Sequence, residues 1–377
     1  MRVALARFRE ANIDLSGTRP TGMTYRAGII GTGGVAGMGI YNGNEDDIDD
    51  DPEPASHAGG YHRVDDVELV AVADIDEDAL DRFGRAWDIP ESGRYLGHEA
   101  MLEDTDLDIV SVCTPSMLHR EHVEDVATLG DPDVIWCEKP VACSVTDAHA
   151  MVETCDDEDV ELVVNHSRRF LRQSQHVRDA IQDGLVGEVQ SITSGSPMEL
   201  LRVGTHVVDF SLYLLDARAE LVAGHVTGAN QAAEHLTDDH IDDAATGGFF
   251  TLDTGTFVTY DGTARRDTAM FHHRINGTEG RLVSAEDGWR YWDSSGGSHE
   301  EKEPPTGGYD DDHERTFVNA VSHHVDLIEG RGENISPGKE AAETLEVLVG
   351  FYVSHYTGGQ VSVPLDRPLE DVTITSW

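Results

Sequence analysis

The chain has 377 residues, of which 72 are acidic and 27 basic, so its formal net charge is −45 at pH 7. This charge repels nucleic acid phosphates and anionic lipid, so neither is expected as a partner. Many carboxylates and only three lysines predict a halophilic, cytoplasmic protein whose self-repulsion is screened in molar salt, with an ordinary acidic protein as the alternative.

The length predicts two or three domains of about 150 residues each, and no apolar run approaches the ~20 residues of a membrane span. Residues 1–22 do not fit the pattern that follows, and they are predicted to be an N-terminal extension or a mis-called start before Met23. The four cysteines lack CxxC and metal-ligand spacing, so they are expected to be buried, reduced thiols. No metal site is predicted.

Residues 23–166 alternate between short apolar strands and helices, apart from an acidic insertion at 38–56. Continuous apolar strands joined by helices are typical of a parallel sheet covered on both faces, which predicts a doubly wound α/β domain of the Rossmann type. The predicted strands are Arg26–Ile30, Leu69–Ala73, Ile109–Cys113, Val134–Trp136 and Leu162–Val164; the predicted helices are Glu77–Trp87, His119–Leu129 and Val145–Thr154.

A glycine-rich turn follows the first predicted strand. Gly31, Gly33 and Ala36 have the spacing G-x-G-x-x-A, which lets a tight turn bring backbone close to a pyrophosphate. Asp74 ends the second strand, where a carboxylate can accept hydrogen bonds from both ribose hydroxyls; this favours NAD over NADP. The insertion lengthens the usual interval of ~20 residues between the glycines and the acid to about 40. A purely structural glycine turn is the alternative. The remaining loop residues assigned to the cofactor are Thr32, Gly34 and Val35.

Residues 167–377 have a different pattern and are predicted to form a second domain for substrate binding and oligomerisation. Gly248–Val258 and Asp267–Arg274 alternate polar and apolar residues, which predicts long strands of an open, largely antiparallel sheet exposed on one face. Arg315–Glu329 and Glu340–Tyr356 are predicted to be amphipathic helices. The whole chain is therefore expected to be an α/β protein with a Rossmann domain followed by this sheet domain.

One of the three lysines, Lys139, lies between Glu138 and Pro140 directly after a predicted strand. That position is the carboxyl edge of the sheet, where doubly wound folds bind ligands. An ammonium there can donate three hydrogen bonds to ribose and substrate hydroxyls, and the bond before Pro140 is a candidate cis peptide. The alternative is an ordinary surface lysine before a helix.

Several short stretches occur in the order found in one known family. From about Tyr25 to Leu365 the chain resembles the glucose–fructose oxidoreductase / inositol dehydrogenase / MocA (Gfo/Idh/MocA) family. The resemblance implies a Rossmann domain, a C-terminal α/β domain whose open sheet often mediates homo-oligomers, and oxidation or reduction of a sugar, polyol or sugar-derivative hydroxyl. The matching stretches are GTGGVA, VAVAD, CTPSMLH, EKP, VNHSRRF, GLVGEV, GTHVVD, NGTEGRL and TGGQVSVPL.

The resemblance also implies roles for individual residues. Lys139 corresponds to the lysine that contacts the nicotinamide ribose and the reacting hydroxyl, and His206 to a histidine regarded as acid/base or substrate-orienting. A satisfied core histidine is the alternative for His206. Arg169 is expected to position substrate or the domain interface. The remaining matched residues are Thr114, Pro115, His119 and Glu138 for the cofactor and Asp209 for the substrate. Arg202 is a further candidate for substrate binding, but it does not match the family pattern.

The sequence departs from the family pattern at Arg202, where a carboxylate would precede the histidine by four residues. Arginine binds carboxylates and phosphates bidentately, so one hypothesis is an acidic substrate such as a sugar acid. The other is that Arg202 pairs with Glu199. The leading prediction is an NAD-dependent dehydrogenase acting on a small sugar-like molecule; a non-catalytic NAD- or sugar-binding regulator is the alternative.

Overall fold

The computed structural model describes residues 24–38, 55–229, 236, 240–264, 271–305 and 315–376. The predicted N-terminal extension and nearly all of the acidic insertion lie outside these residues. So does the first part of the predicted strand Asp267–Arg274. Within the described residues, no helix is both long enough and apolar enough to cross a membrane.

The first domain contains a six-stranded parallel sheet in the order β3-β2-β1-β4-β5-β6, which confirms the predicted Rossmann architecture. Its central strands are buried along their whole length because helices cover both faces. The strands are β1 Tyr25–Ile30, β2 Val67–Ala73, β3 Arg94–Tyr95, β4 Ile109–Val112, β5 Val134–Cys137 and β6 Glu161–Val164. The helices are α1 His57–His62, α2 Glu77–Ala86, α3 His98–Asp104, α4 His119–Asp125 and α5 Val145–Asp157.

Side-chain caps begin three of these helices. Ser56 accepts a hydrogen bond from the backbone N–H of Gly59 at the start of α1. Asp76 accepts hydrogen bonds from two backbone amides at the start of α2, and Ser144 accepts one at the start of α5. The predicted helix His119–Leu129 is α-helical only to Asp125; it continues as a π-helical turn, Val126–Gly130, and stops at Asp131 in the left-handed conformation. The other short turns here are Gly34–Met38, Glu91–Gly93 and Ser116–Leu118.

The second domain contains a nine-stranded sheet in the order β15-β14-β13-β12-β7-β11-β10-β8-β16. Only β7 and β11 pair in parallel, so the sheet is largely antiparallel, as predicted. Its strands are β7 Val189–Gly195, β8 Ala219–Val226, β10 Thr246–Leu252, β11 Phe257–Asp261, β12 His272–Gly277, β13 Gly280–Ala285, β14 Gly288–Asp293, β15 Glu300–Lys302 and β16 Val361–Ser362. A separate parallel pair is formed by β9 Ile241–Asp242 and β17 Ile374–Thr375.

The prediction of one long strand over Gly248–Val258 was wrong. The segment is a hairpin of β10 and β11, and Gly255 adopts a φ of +82° in the connecting turn. Residues 253–256 (DTGT) contain no apolar side chain, and this polar stretch marks where the chain reverses. The helices of this half are α6 Arg172–Gln182, α7 Thr205–Leu215, α8 Thr316–Ile328 and α9 Gly338–Thr357, and the short turns are Ser167–Phe170, Leu200–Gly204 and Leu369–Asp371.

The last part of the chain packs against both sheets. Phe317 and Val321 of α8 belong to the same buried cluster as Tyr61 and Trp136 of the first domain. The long helix α9 is buried over almost its whole length because it packs between β8 and α5. The two domains are therefore tied together by α8 and α9. They also meet where Nζ of Lys139 contacts the carbonyl of Arg202, and we call the region around that contact the cleft. All four cysteines are buried and free, as predicted.

Candidate active site

Polar residues follow the parallel strands at their carboxyl ends. Gly31 follows β1, Asp74 follows β2, Thr114 comes soon after β4, Lys139 soon after β5, and Asn165 follows β6. Carboxyl ends of parallel strands meet at one edge of the sheet, so the fold brings most of the sequence-predicted cofactor residues together there.

The glycine loop is anchored to the acid at the end of β2. Thr32 donates from its backbone N–H and from its hydroxyl to one oxygen of Asp74, each over 2.7 Å. Gly31 has a φ of +87°, and a Cβ there would lie 3.0 Å from the backbone of Cys113. The tight turn therefore requires glycine at this position.

Space for a dinucleotide is left at the second glycine. A Cβ on Gly33 would meet nothing within 4 Å, so this part of the loop is open to a ligand. The chain then enters the turn Gly34–Met38, which contains Val35 and the fully buried Ala36. The open glycine, the small buried residue and the carboxylate of Asp74 fit the phosphate and ribose groups of NAD.

Apolar side chains extend this surface. Ile75 is 91% exposed directly after Asp74, and Met117 is 47% exposed in the turn that follows Thr114 and Pro115. Exposed apolar groups beside a nucleotide loop offer a flat surface for a base. The exposed Pro115 lies on the same edge, and the Thr114 hydroxyl is 2.9 Å from a ring nitrogen of His122.

His119 does not line this surface. It is 1% exposed, and its ring nitrogens lie 2.9 Å from the carbonyl of Thr114 and 3.0 Å from that of Pro140. The prediction that His119 contacts the cofactor is thus not supported, because its ring joins the loop of Thr114 to the loop of Pro140. The Lys139–Pro140 peptide bond is cis.

Glu138 is buried at the centre of a polar network. One carboxylate oxygen lies 3.0 Å from Nε2 of His57 and accepts from the Asn165 amide at 2.5 Å; the other accepts from the backbone N–H of Lys139. Burial alone would raise the pKa of Glu138, but the bond and charge of His57, with Lys139 and Asn165, lower that pKa to about 2. Glu138 is therefore a fixed negative charge beneath Lys139.

The network continues away from the cleft. Nδ1 of His57 lies 2.9 Å from the Ser111 hydroxyl, which is 2.7 Å from the Tyr61 hydroxyl. The His57 ring also packs on Trp136, with ring centroids 3.7 Å apart. His57 thus has both nitrogens occupied and its ring held in one orientation.

The ammonium of Lys139 crosses to the second domain. Its Nζ donates to the backbone carbonyl of Arg202 over 2.9 Å. Burial lowers the pKa of Lys139; the charge of Glu138 opposes that shift, Arg202 adds to it, and Asp243 opposes it again. The cleft therefore contains an amine whose charge depends on several neighbours.

His206 lies at the start of α7 and is partly exposed. Burial lowers its pKa well below 6.5, and the charges of Lys139 and Arg168 lower it further, so the imidazole is neutral. Its Nδ1 is buried and has no hydrogen-bond partner among the described residues. The ring meets Phe271 edge to face, and Phe271 also lines a pocket with Arg168.

Arg169 and Asp209 bind each other and are turned away from the cleft. The guanidinium donates to both oxygens of Asp209, over 2.9 and 2.6 Å, and also contacts Glu340 and the carbonyl of Ile335. Arg169 is 1% exposed and Asp209 is fully buried. This geometry favours a role at the domain interface over direct substrate contact for both residues.

The side chain of Arg202 is exposed. Its side chain forms no ion pair within the part of the chain that the structure describes. The suggested pair with Glu199 is not formed, because Oε2 of Glu199 is buried without a hydrogen-bond partner in that same part. The backbone N–H of Arg202 instead donates to the carboxylate of Asp243 over 2.9 Å.

Sequence reasoning missed His57, Ser111 and Asp243. His57 follows the acidic insertion, which hid its place in the helix after the glycine loop. Ser111 is one hydroxyl within an apolar strand, and Asp243 lies in a turn-rich segment without a motif. Asn165 could have been found, because it is the polar residue directly after β6 at the ligand-binding edge.

Comparison with known proteins agrees with this geometry. Residues 25–166 match the Gfo/Idh/MocA oxidoreductase family model, described as an NAD-binding Rossmann fold. The D-apiose dehydrogenase of Paraburkholderia graminis is 25% identical over 365 residues, covering 91% of this chain and 93% of that protein. The myo-inositol 2-dehydrogenase of Thermotoga maritima is 27% identical over 192 residues, covering 49% of this chain and 56% of that protein.

Solved structures share the whole fold. An oxidoreductase from Agrobacterium radiobacter, crystallised with NAD+, L-tartaric acid and magnesium, superposes with a TM-score of 0.71 over 90% of this chain and 98% of that chain, at 19% identity. The glycine loop, Asp74 and the Lys139 edge lie in the matched domain. The chain is an oxidoreductase whose residues 25–166 match the NAD-binding Rossmann fold of the Gfo/Idh/MocA family, and NAD is the cofactor of that domain.

Proposed function

We propose that the protein is an NAD-dependent dehydrogenase that oxidises a hydroxyl group of a sugar, polyol or sugar acid, or reduces the corresponding carbonyl, with Lys139 and His206 at the reacting centre. The observation that carries this proposal is geometric: Nζ of Lys139, which follows β5 at the ligand-binding edge, donates to the carbonyl of Arg202, and His206 follows four residues later at the start of α7. The imidazole of His206 is neutral because burial lowers its pKa. The names of the two dehydrogenase relatives support the substrate class.

The residues divide the work of the reaction. Lys139 binds the substrate hydroxyl through N–H groups that Arg202 does not use, and so orients the carbon that loses hydride. His206, neutral at physiological pH, accepts the hydroxyl proton during oxidation and returns it during reduction. When bound, NAD supplies the hydride acceptor. Glu138 holds Lys139 in place through the backbone amide and its fixed charge.

Arg202 defines the finer substrate class within this proposal. An exposed guanidinium beside the ammonium of Lys139 favours a carboxylate on the substrate, because a bidentate pair adds both affinity and orientation. L-tartaric acid, a hydroxy acid, is bound in the related Agrobacterium radiobacter crystal. Arg202→Gln should raise KM for sugar acids roughly tenfold or more while leaving neutral sugars nearly unchanged, since charged pairs contribute about 1.5–3 kcal/mol. Equal effects on both substrate types would remove the anion role.

The test of the dehydrogenase is nicotinamide absorbance in molar KCl with NAD, then NADP, against neutral sugars, polyols and sugar acids. Lys139→Met should lose turnover by a factor of ~100 or more, whereas Lys339→Met, a change at an exposed lysine, should not. NAD binding without turnover on any substrate of the panel, in a folded protein, favours the non-catalytic regulator instead.

Two further features belong to this proposal. The charge of −45 suggests that the protein works at high salt, where carboxylate repulsion is screened. The ring centroids of Phe249 and the exposed Phe257 lie 5.1 Å apart on the nine-stranded sheet, which supports homo-oligomers formed through that surface. Thermal unfolding should shift to higher temperature between 0.1 and 2 M KCl, and light scattering with Phe257→Ser tests the assembly.

A further inference from the structure

The carboxylate of Asp243 binds the turn Leu200–Gly204, which leads directly into α7 and His206. It follows β9, and its oxygens accept from the backbone N–H groups of Leu201 and Arg202 over 3.0 and 2.9 Å. The Tyr352 hydroxyl donates to it over 2.9 Å. Burial raises the pKa of Asp243, and the hydrogen bonds from these donors oppose that shift.

Arg202 links this carboxylate to Lys139. Its N–H donates to Asp243, and its carbonyl accepts from Nζ of Lys139 over 2.9 Å. The residue that orients the ammonium is thus itself fixed by Asp243. The side chain at this position is a cation, so it supplies no negative charge to the amine.

We propose that Asp243 is a positioning residue for Lys139: it fixes the carbonyl that receives the ammonium and provides, from β9, the negative charge that position 202 lacks. Its meaning for catalysis rests on the proposed dehydrogenase function. Its effect on Lys139 does not, because that effect belongs to the folded protein without substrate.

The charge balance around Lys139 shows why one carboxylate matters. Glu138 and Asp243 favour the charged amine, whereas burial and Arg202 disfavour it. His166 and His206 also face this region, and both are neutral because burial lowers their pKa values. Without Asp243, Glu138 alone would oppose burial and the arginine. The pKa of Lys139 should then fall.

The small number of lysines allows a direct measurement. Protein labelled with 13C at lysine Cε has three signals, from Lys139, Lys302 and Lys339, and the signal missing from Lys139→Met identifies Lys139. In Asp243→Asn the Lys139 signal should titrate about one pH unit or more lower than in the wild type, as expected for loss of a nearby opposite charge. The exposed neighbour gives the matched control, Asp242→Asn, which should leave it unchanged.

A second variant tests the compensation itself. Asp243→Asn combined with Arg202→Asp places the carboxylate at position 202 and should return the Lys139 titration to the wild-type value or above. If Asp243→Asn does not fold, Asp243→Ser keeps an accepting oxygen without charge and gives the same test. The proposal is overturned if the Lys139 titration is the same in wild type and both Asp243 variants.

Activity separates this inference from the proposed function. If the wild type turns over substrate, one limb of its pH–rate profile should be missing in Lys139→Arg and so report on Lys139. In Asp243→Asn this limb should move to lower pH, as the NMR titration of Lys139 does. A lower Lys139 titration in Asp243→Asn, in a protein with no turnover, supports the positioning role of Asp243 and counts against the dehydrogenase. Turnover with an unchanged Lys139 titration supports the dehydrogenase and counts against the role of Asp243.

Discussion

His57 lies 3.0 Å from Glu138, although the two residues are 81 positions apart in the sequence. The contact joins the helix after the acidic insertion to the loop that presents Lys139. Glu138 in turn accepts from the backbone N–H of Lys139. The orientation of Lys139 therefore depends on His57, a fully buried histidine.

Replacing this histidine should weaken catalysis without touching substrate. His57→Leu removes a donor from Glu138, so the pKa of Glu138 should rise from about 2 and Lys139 should lose its fixed support. We expect kcat to fall roughly ten- to hundredfold, the loss expected when a reacting group is misplaced by about 1 Å. The acid limb of the kcat–pH profile should move to higher pH.

Two matched variants distinguish this role from general damage. His57→Gln places an amide near the same carboxylate and should recover part of the activity. His62→Leu changes the exposed histidine of the same helix and should behave like the wild type. An unchanged pH profile in His57→Leu would show that Glu138 does not depend on this bond.

Asp74 should set the preference for NAD. Its carboxylate is bound to Thr32 at the place where a 2′-phosphate would bring negative charge. Asp74→Asn keeps the shape and removes the charge, so the ratio of kcat/KM for NADP over NAD should rise roughly tenfold, or about 1.4 kcal/mol. Glu77→Gln, at an exposed residue three positions further on, is the control. A constant ratio would assign the discrimination to another group.

The sequence predicted five of the six strands of the first sheet, because each of those five contains a short apolar run. It missed β3, Arg94–Tyr95, which has no such run. Periodicity also located α8 and α9 to within a few residues. It failed at the β10–β11 hairpin, because the polar residues 253–256 (DTGT) between the two strands were not taken as a turn. The apolar runs were therefore recognised, and the turn signal between two of them was missed.

The site divides in the same way. Gly31, Asp74 and Lys139 lie beside strand ends, so local pattern was enough to place them. Arg169 was found by its motif, but its burial against Asp209 depends on how α7 and α9 pack. Asp243 and His57 act through contacts across distant parts of the chain, which no local pattern records.

Removing one partner of the buried ion pair between Arg169 and Asp209 should strongly lower the free energy of unfolding. Arg169→Met leaves the fully buried Asp209 without its main partner and should lower the free energy of unfolding by about 3–5 kcal/mol. Arg331→Met breaks an exposed pair with Asp326 and should cost about 0–1 kcal/mol. Denaturant unfolding in molar KCl measures both. Similar losses in the two variants would mean that Asp209 is not stranded.

Buried histidines should make the protein sensitive to mild acid. Burial lowers the pKa of His166 to about 4 and that of His273 to about 3, whereas in the unfolded chain both titrate near 6.5. Above about pH 6.5 they are neutral in both states and contribute no pH dependence. Below that value the unfolded chain binds protons that the folded protein does not, so stability falls as the pH falls toward the folded pKa values.

Each such histidine can remove up to about 1.4 kcal/mol of stability per pH unit in this window. Denaturant unfolding between pH 7 and 5 in molar KCl should therefore show a declining free energy of unfolding. His273→Gln removes one titrating group and should flatten the decline, while His149→Gln, at an exposed histidine, should leave the slope unchanged. The same slope in both variants would mean that His273 becomes protonated in the folded protein, because only a depressed folded pKa produces the difference.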